Sequence, residues 1–199
     1  LHDALPISGP GDLAAGRVEE QGNFARTPYN VVRAEASPGF AVAELTGAGS
    51  VRGRPVIVRK TVQVGGRPDL TVTYRIENAG NQEFDVFFGV ELALTLFSDQ
   101  DQSRYYYIPD FGRRREPYET GAEYNILCFD LVNGGDGLRI SLAFSRPVDL
   151  LFFPLYTVSL SEDGFEKNYQ GTVLTALLSL TLPPDAPGEF GLSLEFSEL

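Results

Sequence analysis

Alternation with a period of two residues most narrows what this chain can fold into. Leu70, Val72, Tyr74 and Ile76 point one way while Thr71, Thr73, Arg75 and Glu77 point the other, the pattern of a strand with one buried face. The same pattern returns in Leu138, Ile140, Leu142 and Phe144, and again in Phe190, Leu192, Leu194 and Phe196. Between such runs stand Gly65-Gly66, Asn78-Ala79-Gly80-Asn81 and Asn133-Gly134-Gly135-Asp136-Gly137, residue types that supply the backbone conformations of tight reversals, and all three read as hairpins. No stretch sustains apolar residues at i, i+3, i+4 and i+7. The best helical candidate, residues 173–182, has β-type flanks and ends at Pro183-Pro184. Many short strands joined by turns predict an all-β sandwich or barrel rather than βαβ units.

Length and composition fit one domain. A chain of 199 residues with 43% hydrophobic and 22% charged residues has the material for a sizeable core and is not the composition of a disordered polymer. Residues 1–16, rich in proline and glycine, read as a tail, a linker or a cloning remnant, leaving 17–199 as a single sandwich domain. The net charge of −11 argues against nucleic acid or an anionic membrane as partner, and no apolar run is long enough to span a bilayer. One cysteine, Cys128, excludes an internal disulfide, and its apolar neighbours predict a buried, inert thiol. Nothing demands an oxidising compartment, and a cytoplasmic setting is expected. The chain has no methionine, so Leu1 is not a translation start and sequence upstream is expected.

The chemistry of catalysis is thinly represented. The only histidine, His2, lies in the tail, so a serine or cysteine triad has no base and a zinc site lacks its usual ligands; no cofactor or metal is expected. Residues 99–110 place oxygens at alternating positions as a calcium loop does, but Arg104 stands where that loop needs glycine. Glu91, Glu162, Asp163 and Glu166 are acids of the type that run glycoside hydrolysis in pairs. Glu91 interrupts the apolar run 87–96 and needs either a cation, with Arg113, Arg114 and Arg115 as candidates, or a wet groove. That arginine cluster reads as local ion pairing or as a contact with a neighbouring acidic domain. The segment 105–115 is the least regular, and reads as a functional loop or a strand followed by one.

Residues 153–171 (FPLYTVSLSEDGFEKNYQG) concentrate aromatic, acidic and amide side chains between proline and glycine. Two readings stand. In one, Tyr105, Tyr107, Tyr156, Phe165 and Tyr169 offer faces for a pyranose while Glu91, Glu162, Glu166 and Gln170 hydrogen-bond its hydroxyls. In the other, the aromatics belong to a core at a sheet edge and the acids are solvated.

This segment, with GNFARTPY (residues 22–29), KTVQVGGRPDLTVTYRIEN (60–78) and FFGVELALTL (87–96) in the same order, resembles the C-terminal β-sandwich domain of α-amylases and 4-α-glucanotransferases of glycoside hydrolase family 57. The resemblance implies a galactose-mutarotase-like supersandwich, two extensive antiparallel sheets with little or no helix. It implies an α-glucan or maltooligosaccharide as the ligand of the parent enzyme, which cleaves α-1,4 bonds with retention. It also places the catalytic residues in an N-terminal (β/α)7 domain that is not within these 199 residues, so none is expected here. A stand-alone carbohydrate-binding module is the alternative. A mutarotase-type epimerase comes last, for want of a core histidine.

Overall fold

The structure, a computed structural model of the chain, describes residues 9–17, 20–67, 69–95, 98, 100–161 and 164–199. Among these residues eleven antiparallel strands follow one another: β1 (Asn30–Ser37), β2 (Phe40–Val51), β3 (Arg54–Val64), β4 (Asp69–Asn78), β5 (Phe84–Leu94), β6 (Arg104–Ile108), β7 (Arg113–Arg115), β8 (Gly121–Asn133), β9 (Leu138–Ser161), β10 (Gly164–Leu182) and β11 (Gly188–Glu198). A helical turn, α1 (Pro10–Ala14), lies within the segment the sequence sets aside as a tail, and it touches β8 and β9. Each alternating run becomes a strand with its apolar side inward: Val72, Tyr74 and Ile76 of β4, Ile140, Leu142 and Phe144 of β9, and Phe190, Leu192 and Leu194 of β11 are all buried.

The wide layer runs β1-β2-β3-β4-β11-β9-β8-β6-β7. A second layer arises because β8 and β9 are long enough to belong to both. Residues 128–133 of β8 pair with 138–143 of β9, and residues 121–126 pair again with 148–152. Between the two stretches β8 carries register shifts and Asn125 at φ 56°, and β9 carries Pro147, so both strands turn a corner together. Past the corner β10 pairs with β9, and β5 pairs with β10. The layers then face each other through aromatic rings. Phe88 of β5 meets Tyr74 of β4 edge-on at 5.1 Å, and Phe152 beyond the corner lies 6.0 Å from Phe129 before it. Each such ring contributes on the order of 2 kcal/mol by leaving water.

Two turn expectations separate here. The 65–66 and 133–137 segments are hairpins, joining β3 to β4 and β8 to β9. Residues 78–81 are not: β4 pairs with β3 and β11, whereas β5 pairs with β10, so this turn carries the chain from one layer to the other. Asn78 fixes the crossing. Its buried side-chain amide donates to the carbonyls of Gln82 and Leu182, and its Oδ1 accepts from Gly80 N at 2.8 Å. Residues 173–182 form the inner part of β10, with Leu174, Ala176, Leu178, Leu180 and Leu182 in the core and Val173, Thr175 and Leu177 buried on the other face. Burial on both faces erases the alternation that marks other strands.

Candidate functional site

The irregular segment 105–115 is a tight ribbon rather than a loop. Strands β6 and β7 pair through a 3-10 turn at Pro109–Phe111, closed by Gly112 in the left-handed region at φ 60°. Alternation sends Arg113 and Arg115 to one face and Arg114 to the other. Glu123, only 2% exposed, bridges the first two: Oε2 accepts from Arg113 Nη1 at 2.9 Å and Oε1 from Arg115 Nε at 2.8 Å. Arg115 also reaches Glu119 at 3.6 Å. Arg114 donates to Glu116 and to the Gln102 carbonyl, and its guanidinium covers the ring of Tyr105 at 4.1 Å. The cluster is therefore engaged in local pairing, and one face of Tyr105 is occupied. Tyr107 shares that outward face, opposite Arg114 in register.

Glu91 does not meet those arginines. It stands exposed on the outer face of β5, opposite Thr175 of β10, so solvent rather than a cation accommodates its charge. Asp101 accepts from both the hydroxyl and the backbone N–H of Ser103, which together with Arg104 hold its carboxyl below the usual range. Asp110 accepts from the backbone N–H groups of Leu127 and Cys128. These oxygens are spoken for by the chain's own donors, and Asp99 lies outside the described residues. Cys128 is half-buried rather than buried; burial, with Asp110 and Asp130 nearby, pushes its thiol pKa up and disfavours the nucleophilic thiolate.

The remaining candidates sit where β9 and β10 extend past the sandwich. Tyr156 and Tyr169 are cross-strand partners meeting edge-on at 5.7 Å, and the Lys167 ammonium sits 3.7 Å from the Tyr156 ring centre. Phe165 stands exposed near the tip. Glu166 and Gln170 point to the opposite side. Gln170 donates to Thr157 Oγ1 at 3.1 Å, and neighbouring Asn168 donates to Ser159 Oγ at 2.9 Å. Glu162 and Asp163 lie outside the described residues. The structure thus distributes the candidates over three places: the β6–β7 ribbon, the outer face of β5 and the β9–β10 extension.

A recess that single-strand periodicity does not reveal lies on the outer face of the wide layer. Thr46, Arg59, Arg75 and Glu189 form one cross-strand row over β2, β3, β4 and β11; Glu44, Thr61, Thr73 and Gly191 form the next. Together with Ser145, whose Oγ accepts from Gly191 N at 2.9 Å, they border a groove of about 600 Å³. Arg59 and Arg75, directly opposed, share Glu77 at 3.1 and 3.0 Å. Burial works against the Glu77 charge, but the two guanidiniums prevail and hold its carboxyl below the usual range. The polar half of the 70–77 alternation was the available signal; which strands would lie beside it was not.

Two extended antiparallel layers, one much wider than the other and joined through shared strands, define a galactose-mutarotase-like supersandwich. The fold of a putative aldose 1-epimerase from Escherichia coli K12 is similar, with a TM-score of 0.59 at 14% identity over 86% of this chain and 69% of that one. The chain itself belongs to the alpha-amylase/4-alpha-glucanotransferase C-terminal family, whose model matches residues 10–190. The 4-alpha-glucanotransferase of Thermococcus litoralis superposes with a TM-score of 0.66 at 20% identity, covering 98% of this chain and 26% of that one. Alpha-amylase 1 of Dictyoglomus thermophilum is 28% identical over 112 residues, 56% of this chain and 16% of the relative. The chain therefore spans about a quarter or less of these two relatives. No helix among the described residues is long and apolar enough to cross a membrane.

Proposed function

We propose that this chain is the non-catalytic C-terminal sandwich of an enzyme acting on α-1,4-glucans, and that it braces a preceding (β/α)7 catalytic domain. The observation that carries the reading is the family match over residues 10–190, set beside the separation of Glu91 from Glu166 among the described residues. Glu91 and Glu166 stand on separate elements, and Glu123 is locked between two arginines. Glycoside hydrolysis needs two carboxylates flanking one bond, roughly 5–10 Å apart, and these acids are not grouped in that way. The direct test is incubation of the purified chain with maltooligosaccharides. No turnover is expected, and release of glucose or of longer chains from this polypeptide alone would refute the assignment.

Contact with glucan is a second part of the proposal, and the groove on the wide layer favours it. Opposed arginines, threonine hydroxyls and Glu189 are hydrogen-bonding groups suited to sugar hydroxyls, in a recess within the size range of small-ligand sites. Aromatic platforms do not contribute there, because Tyr74 and Phe190 beneath it face the core. Titration calorimetry with maltoheptaose should give heat at millimolar sugar that Arg75→Ala abolishes. Heat unchanged by that substitution, or none at all, would remove the groove from the reading.

A further inference from the structure

Among the described residues the pairing of β9 with β10 outlasts that of every neighbour. β8 stops at the pair Gly121–Phe152 and β5 stops at Leu94–Thr172, yet β9 and β10 continue together to Ser161 and Gly164. Departure begins at Gly171, where a Cβ would overlap the Leu94 carbonyl and where Gln170 adds an extra residue to β10. The product is a two-stranded arm, and its faces differ. On one lie the cross-strand pairs Leu160–Phe165, Val158–Lys167 and Tyr156–Tyr169; on the other lie Ser159–Glu166 and Thr157–Asn168. Phe165 is 82% exposed, Leu160 76% and Val158 67%. Together they present on the order of 400 Å² of apolar surface, as much as the largest patch on a typical monomer. Tyr169 at the base packs against the core, but among the described residues the outer part of the arm covers nothing, and a bare hairpin is marginal in water, so this face points to a partner.

Three occupants compete, and area and chemistry separate them. A sugar stacked on Phe165 would find Leu160 and Val158 beside it, while the amides of Asn168 and Gln170 donate on the opposite face. A second copy docking through the same patch would bury about 400 Å² per partner, roughly half of what a standard interface between free proteins removes from water. Such a small contact holds when the partner is tethered, because the linker supplies an effective concentration in the millimolar range. The related glucanotransferase carries about three quarters of its length outside the part this chain matches. We propose that the β9–β10 arm is the grip by which this domain holds the catalytic domain of the same polypeptide, with Phe165 and Leu160 seated in an apolar recess of that domain. The inference rests on the reading of the chain as a C-terminal domain.

Hydrogen–deuterium exchange of the 199-residue chain and of the longer polypeptide in which the C-terminal reading places it tests the grip. Amides of 155–161 and 164–170 should exchange at least about tenfold more slowly in the longer polypeptide, with β4 and β11 unchanged. Phe165→Ser with Leu160→Ser should abolish that difference, while leaving the unfolding midpoint of the 199-residue chain where it was. Equal exchange of the arm in both polypeptides would overturn the grip alone. So would a dimer of the 199-residue chain in sedimentation that the double substitution dissolves, or protection of the arm by added maltoheptaose. A longer polypeptide without a catalytic domain would instead overturn the C-terminal reading itself, and the grip with it.

Discussion

Replacing Glu123 by glutamine isolates the contribution of the arginine cluster. The carboxylate is 2% exposed and accepts from Arg113 at 2.9 Å and Arg115 at 2.8 Å. Hydrogen bonds to charged partners contribute about 1.5–3 kcal/mol net, and the value for Arg113 falls toward the lower end because its side chain is half in solvent. Glutamine keeps the shape and one acceptor but turns an N–H group toward the second guanidinium. The expected loss is therefore about 3 kcal/mol, below the full effect of stranding a buried charge because both arginines can turn toward water. Urea unfolding followed by far-UV circular dichroism should show the midpoint lowered by about 1 M, given a slope near 3 kcal/mol/M for a chain of this size. A double-mutant cycle with Arg115→Ala should return a coupling of about 1–2 kcal/mol. A midpoint lowered by less than about 0.2 M, with the native spectrum intact, would show that the bridge contributes nothing and that Glu123 is tolerated for its packing alone.

Asn78→Ala removes the side chain that bonds Gln82, Leu182 and Gly80 at the crossing between layers, and should cost about 2–3 kcal/mol in the same denaturation assay; an unchanged midpoint would sink that account of the turn. Burial, helped by the nearby Tyr29, pushes the Tyr74 hydroxyl up to about 12 from its ordinary 10. The unfolded chain therefore ionises this group first as pH rises. Its contribution, about 3 kcal/mol, is fully present below pH 10 and is lost between pH 10 and 12. Tyr74→Phe should flatten stability across that window, and an unaltered slope there would place Tyr74's ionisation elsewhere.

The sequence is a good guide to the fold wherever one strand face is buried and the other wet, as at 70–77, 138–144 and 190–196. It is a poor guide where that contrast disappears. β10 has Val173, Thr175 and Leu177 buried opposite its core face, so its string of apolar residues carries no period to read. Asn78-Ala79-Gly80-Asn81 has the composition of a hairpin, and local residue preferences do not reveal that β4 finds its second partner in β11, over a hundred residues on. Glu123 attracts no notice in the sequence because its burial comes from register, which sets it opposite the core residue Leu150 of β9, and its arginine partners come from another strand. Side-chain types at 153–171 suit a sugar, yet the cross-strand register puts the aromatic and amide groups on opposite faces of the arm. The groove follows from the same non-local information: two polar rows exist only once four strands lie side by side.

Because β8 and β9 pass through both layers without a break, neither layer has strands wholly its own at the corner. Melting either one would drag away the rails on which the other is built, so a half-molten molecule has no stable form to rest in. Denaturation should proceed as a single step, and proteolysis near Pro147 should release no surviving half.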